Sequence, residues 1–313
     1  MRRHGQTVAR SQRWYCPSCQ TTATRKRPDI KARASQQAFT DWLTTSKGLA
    51  DLAKEKGVSL RTIARRWRDC WQTLPQPCPI KTLEYQTLVL DAVYVEGRKM
   101  ALMIARTKET IVSWQFVPRE NLEYWLHFLS TLPIPFAVVC DGQRGLLGAL
   151  NRLWPKTKIQ RCLIHVIRLA KSRITKQPRT KAGQELRLLV SALGEVWTSK
   201  QKRSWLKLFW RWWNRYQPLL KERSYASNKR NWWYTHKHLR SAAVLIKNSL
   251  PALFTYTKYR YIHRTTNLLE GGINSRLKDL IRRHRGMKLS HKQIMLAHYL
   301  KQRQTKNNTL FVY

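Results

Sequence analysis

Only seventeen of the 313 residues are acidic, against sixty lysines and arginines, so a carboxylate set in apolar surroundings stands out. Asp91 lies inside Leu88-Val-Leu-Asp-Ala-Val-Tyr-Val95, where an ionised side chain is costly to desolvate unless a cation meets it. Asp141 follows the apolar run Phe136-Ala-Val-Val-Cys140 and precedes Gly142, the place where a strand would give way to a loop. Glu270 stands in Thr265-Thr-Asn-Leu-Leu-Glu-Gly-Gly-Ile-Asn-Ser275, at the start of a helical pattern that Thr266 or Asn267 could cap. Each has a bland alternative: a buried ion pair or hydrogen-bonded strand Asp, a turn-forming Asp-Gly, and a Glu that favours a helix dipole. As a set they could hold two divalent ions about 4 Å apart, one activating a water or 3′-hydroxyl and the other stabilising the leaving oxygen of a phosphodiester.

Such a set needs a sheet and a helix to bring it together. Apolar runs predict strands over 87–96, 99–105, 110–117 and 136–140, and a last strand over 159–166. Helical spacing marks 121–132 and 146–154. Three strands, a helix, then strand, helix and strand is the order of a ribonuclease-H-like core, an α/β mixed sheet with flanking helices. The expected division is a basic segment at 1–30, a helix-turn-helix at 31–73, a linker at 74–84, and the first part of the core at 85–167. A helical insertion at 168–262 and completion of the core at 263–313, with the Glu270 helix and a basic end, follow.

Within 49–67, Leu49, Leu52 and Ala53 form one face, Gly57 permits a turn, and Ser59 can cap the next helix. That helix would turn Ile63, Ala64 and Trp67 inward and Arg61, Thr62, Arg65, Arg66 and Arg68 outward, as a major-groove reader requires. A plain helical hairpin is the alternative. Upstream, Cys16-Pro-Ser-Cys19 is half of a zinc site, and His4 is the sole His or Cys among the preceding fifteen residues, so zinc binding stays open.

A formal charge of +43, spread along the chain, calls for a polyanion, and fourteen Trp and twelve Tyr favour nucleic acid over an anionic membrane. No apolar run of membrane-spanning length and no signal peptide is visible, so a cytoplasmic protein is expected. Arg276, Arg282, Arg283 and Arg285 read as phosphate contacts beside Glu270. Trp205, Trp210, Trp212 and Trp213, and the pair Trp232-Trp233, read as core or as stacking platforms for unpaired bases. Cys162-Leu-Ile-His165 could ligate a metal, position DNA or simply pack.

Asp91 in a first strand, Asp141-Gly142, Cys162-x-x-His165 and Glu270 in Thr-Asn-Leu-Leu-Glu-Gly-Gly-Ile-Asn-Ser together resemble the bacterial insertion-sequence DDE transposases related to Mutator elements. The resemblance covers most of 85–300. It implies a core split by a helical insertion, magnesium or manganese ions at Asp91, Asp141 and Glu270, and cleavage and strand transfer at the inverted-repeat ends of the protein's own element. It also implies double-stranded DNA as partner, at those ends and at the target, with end recognition by the N-terminal modules. A dimer on DNA and a nucleoid-associated location in a bacterial cell are the corresponding expectations. Two other classes fit parts of the pattern: a catalytically inactive DNA-binding protein, and a structure-selective nuclease on the same fold.

Overall fold

A computed structural model describes residues 1–24, 28–45, 47–78, 87–227 and 230–308, so that most of the expected linker after Cys78 lies outside the described residues. The chain divides into two compact units. One comprises Met1–Pro75 with Gly286–Tyr299, the other Gln76–Arg285 with Leu300–Tyr313.

The first unit opens with three short antiparallel strands, β1 (Arg2–Gln6), β2 (Gln12–Tyr15) and β3 (Thr22–Thr24), in the order β1-β2-β3. These strands lack a buried apolar face, so periodicity does not announce them. Cys16 and Cys19 sit in the β2–β3 turn. Three helices follow, α1 (Pro28–Thr44), α2 (Leu49–Glu55) and α3 (Leu60–Arg66). Gly57 turns the chain at φ +60°, and the Ser59 hydroxyl accepts from the Thr62 amide at 3.2 Å to start α3. Phe39, Trp42, Ile63 and Trp67 are buried, with Phe39 edge-on to both Trp67 and Trp71. Arg61, Arg65, Arg66 and Arg68 are exposed and Thr62 is half-buried. Ala64, expected inside, is exposed, because Ile63 and Trp67 alone face the core from that helix.

In the second unit, β4 (Thr87–Val95), β5 (Met100–Arg106), β6 (Ile111–Val117), β7 (Ala137–Cys140) and β8 (Lys158–Arg161) form a mixed sheet ordered β6-β5-β4-β7-β8. The β4–β5–β6 meander is antiparallel, whereas β4, β7 and β8 run parallel. Parallel strands need crossovers, and α4 (Leu122–Ser130) and α5 (Arg144–Leu153) supply them. Their Trp125, Phe128, Leu146 and Leu150 pack with Leu88, Leu90, Met103 and Val138 of the sheet. The protein is thus α/β, with a mixed five-stranded sheet and flanking helices.

The last strand is shorter than its apolar run suggests. It stops at Arg161, and α6 (Leu163–Arg173) takes over, since Leu163, Val166 and Ala170 fall on one buried helical stripe. Then come α7 (Lys181–Ala192), α8 (Ser199–Lys221), a small hairpin of β9 (Arg223–Tyr225) with β10 (Trp232–Tyr234), and α9 (Lys237–Leu253). Trp205, Phe209, Trp212 and Trp213 are buried among these helices, and the Trp205 and Trp212 indoles donate to the carbonyls of Leu189 and Ala182. Trp232 and Trp233 are exposed.

Glu270 lies in a π-helix, Leu268–Asn274, which continues directly into α10 (Ser275–Arg283). Helix α11 (Leu289–Asn308) closes the described chain. Near its end the fully buried Gln304 amide donates to the carbonyls of Ile111 and Val112 on β6 and accepts from the Cys78 amide at 2.7 Å. None of the described helices is long and apolar enough to cross a membrane.

Candidate active site

The parallel register of β4 and β7 pairs Val89 with Val139. Two residues further along, the same register brings Asp91 beside Asp141, at the end of β7 where the sheet opens. Both side chains are half-buried, so Asp91 is less enclosed than an unbroken apolar strand suggests. Burial first, and the Asp141 charge second, push the Asp91 carboxyl up to about 6, against the pull of His165, the Ala92 amide and Asn274.

Asp141 is held by its own turn. Its Oδ1 accepts from the Gln143 amide at 2.9 Å, and Gly142 adopts φ +86°. The turn-forming role and the placement beside Asp91 therefore coexist in one residue. Across the turn lies Arg161, 9% exposed, whose Nη2 donates to the Asp141 carbonyl at 3.3 Å and whose Nη1 donates to Ser249 Oγ on α9 at 2.7 Å. The guanidinium presses so close that a β-carbon at position 142 would collide with Nε. This is the close approach that only glycine permits.

Glu270 approaches through its backbone: the π-helix packs against β4, and Asn274 at its end donates Nδ2 to Asp91 Oδ2 at 2.7 Å. The side chain of Glu270 lies outside the described residues. Thr266, expected as a cap, is buried and turns its hydroxyl to Cys162 Sγ at 3.4 Å, with its amide on the same sulfur at 3.3 Å. His165 Nδ1 is 3.5 Å from the same hydroxyl. Together with the Leu163 amide on the Arg264 carbonyl at 3.0 Å, the Cys-x-x-His segment clasps the stretch that leads into the π-helix. Burial raises the Cys162 thiol, but hydrogen bonds from His165 and Thr266 outweigh it and leave the pKa below its usual value.

A further carboxylate faces the same region. Glu120, at the entry to α4, accepts from the Trp125 indole at 3.1 Å and is pushed up to about 7 by burial and then by the charges of Asp141 and Asp91. Its neighbours Asn121 and Leu122 pack tightly on Gly145, three residues past Gly142. Sequence reasoning does not single out Glu120, Asn274 or Arg161. Only Asn274, one helical turn after Glu270 and thus on the same side, offers a signal.

Among the described residues, no three His, Cys, Asp or Glu side chains gather as a metal cluster. The donor chemistry nevertheless fits a hard divalent cation: the Asp141 charge adds to the cost of ionising Asp91, and the buried Asn274 Oδ1 beside them meets no hydrogen-bond partner among the described residues. At the N-terminal turn the Cys16 thiol is lowered to about 6 by hydrogen bonds with Ser18 and Cys19, which suits a soft metal. Cys19 Sγ meets Thr21 Oγ1 at 3.0 Å.

The basic residues after Glu270 are exposed, Arg276 on α10 and Arg285 beyond it. Arg282 and Arg283 both pair with Asp279, a surface arrangement that contributes little to stability.

Residues 76–237 match the family model described as "Transposase, Mutator family". Among curated proteins, a "Probable transposase for insertion sequence element" of Corynebacterium diphtheriae is 38% identical over 64 residues, 20% of this chain and 17% of that one. The IS905 insertion-element transposase of Lactococcus lactis is 27% identical over 123 residues, 34% and 32% of the two chains. The ISRM3 transposase of Rhizobium meliloti is 25% identical over 201 residues, 61% and 42% of the two. The chain thus spans less than half the length of these relatives.

Proposed function

Because the chain belongs to the Mutator family of transposases, we propose that it is a DDE transposase, which cuts and joins DNA strands at the inverted-repeat ends of its own element. The observation that carries this reading is the placement of Asp91 on β4 beside Asp141, which lies just past the end of the neighbouring parallel strand β7, with the segment bearing Glu270 anchored to Asp91 through Asn274. The sheet order and crossovers support a ribonuclease-H-like core, and the helices between β8 and the π-helix support an insertion within it.

Asp91, Asp141 and Glu270 would hold magnesium or manganese. Two such ions supply activation of a water or 3′-hydroxyl and stabilisation of the leaving oxygen. The protein's own contribution is positioning. Asn274 and the Ala92 amide fix the Asp91 carboxylate, the Gly142 turn under Arg161 fixes Asp141, and the Cys162–Thr266 clasp fixes the approach of Glu270. Arg61, Thr62, Arg65, Arg66 and Arg68 would read duplex sequence from α3, with Arg276, Arg282, Arg283 and Arg285 on phosphates.

The test is strand cleavage and joining on a plasmid carrying the DNA that flanks the gene. Asp91→Ala, Asp141→Ala and Glu270→Gln should each abolish both steps in magnesium or manganese while end binding persists, since the ions serve the transition state. Full cleavage by Glu270→Gln would sink the assignment.

A further inference from the structure

Within the second unit a cleft of about 1040 Å³ opens between the start of α8 and residues 256–267, and it reaches Asn267, three residues before Glu270. Its size lies at the upper end for small-ligand sites. The lining is aromatic and basic, with Trp197, Tyr256, Lys200, Arg260 and Arg264, and among the described residues it includes no Asp or Glu. Trp197 is 62% exposed, unlike Trp205, Trp212 and Trp213, which the same helices bury. Its indole is nonetheless held in place: the Arg264 guanidinium lies 3.6 Å over the ring and donates to the Gly194 carbonyl at 2.6 Å. A large ring braced by Arg264 yet mostly exposed, in a cleft shared with Lys200 and Arg260, offers a π-face to a ligand. It matches the pairing of a planar base with its phosphate, because any base offers a π-face and the cations neutralise the backbone.

We propose that this cleft binds an unpaired nucleotide of a DNA strand, stacking its base on Trp197 and placing its phosphate by Lys200 and Arg260. The inference rests on the reading of the protein as a DNA-processing enzyme and adds a site apart from the carboxylates. The cleft abuts the stretch that leads into the π-helix, so a nucleotide lodged there would fix a strand end next to the segment that carries Glu270.

The full chain should be titrated against fluorescent duplexes of one sequence, blunt or with four-nucleotide 5′ or 3′ overhangs, at salt high enough to weaken non-specific phosphate contacts. At least one overhang should bind about tenfold more tightly than the blunt duplex, in line with the stacking of one base. Trp197→Ala should remove that preference and leave blunt-duplex binding within about twofold, with Trp197→Phe keeping part of it. Arg260→Ala, an exposed change, should reduce it as well. Equal affinity for blunt and overhanging duplexes, or a preference that survives Trp197→Ala, overturns the proposal. So does a free deoxynucleoside monophosphate that binds as tightly as the overhang, which would mark the cleft as a site for free nucleotides. Absence of binding to every duplex would refute the DNA reading itself, a result distinct from blunt binding without overhang preference.

Discussion

Asn274 donates its amide hydrogen to Asp91 at 2.7 Å across 183 residues of sequence, and its buried Oδ1 meets no hydrogen-bond partner among the described residues. The bond ties the end of the Glu270 segment to the first carboxylate. Loss of a residue that orients a metal ligand typically costs 10–100-fold in activity or metal affinity. Asn274→Ala should therefore lower strand cleavage by about that range and raise the magnesium concentration needed for half-maximal rate, with end-DNA affinity unchanged. A cleavage assay titrated with magnesium reads both, and an unshifted metal requirement would contradict the role.

The raised pKa of Asp91 makes the site a source of instability when no cation is bound. Its carboxyl is held at about 6, against 3.8 in an unstrained setting, so the folded state favours the protonated form. The stabilising contribution is complete below 3.8 and is lost as pH rises through about 6. Near pH 7 and in a chelator, Asp91→Asn should stabilise the protein by about 1–2 kcal/mol, less than the full shift implies because the group is partly hydrated, and below about pH 4 the difference should vanish. Denaturant titrations at the two pH values check this.

At Gly142 a β-carbon would meet Arg161, and the backbone at φ +86° disfavours any side chain. Gly142→Ala should cost about 2–3 kcal/mol, as expected for backbone strain at such a position together with displacement of a buried group. Part of that cost is steric, so Arg161→Ala should relieve it, and the double variant should be less destabilised than the sum of the two singles. Additive losses would show that the guanidinium is not what confines the turn.

DNA binding by a chain of charge +43 should weaken steeply with salt, because each phosphate neutralised releases counterions. Arg61 and Arg65 are exposed on α3, and replacing both by Ala should reduce discrimination between end-sequence and random duplex by about 1–3 kcal/mol for each base that an arginine reads. Competition binding at two salt concentrations separates the two effects. Unchanged discrimination would place sequence reading elsewhere.

How far the chain can be read before folding depends on the kind of signal. Strands such as β4 and β7 are buried enough to appear as apolar runs, and a carboxylate inside or just after one is visible without coordinates. Asn274, Arg161 and Glu120 are ordinary polar residues whose neighbours are set by topology, by the parallel β4–β7 pairing and by the return of the chain after α9. The β8–α6 junction is misplaced by periodicity because an apolar run of that length suits either element, and only the burial of Leu163, Val166 and Ala170 on one side decides it. Trp197 stands apart from the denser tryptophan run, which draws the eye although its members mostly fill the interior.

The Gln304 side chain has a bearing on how the protein behaves at high concentration. Strand β6 borders the described sheet, and Gln304 caps the carbonyls of Ile111 and Val112 at its start. Unprotected sheet borders recruit neighbouring chains. The end of α11 is thus expected to shield the start of this border, and a chain cut short before Gln304 should assemble edge to edge through β6 more readily than the full chain, even with every carboxylate of the site intact.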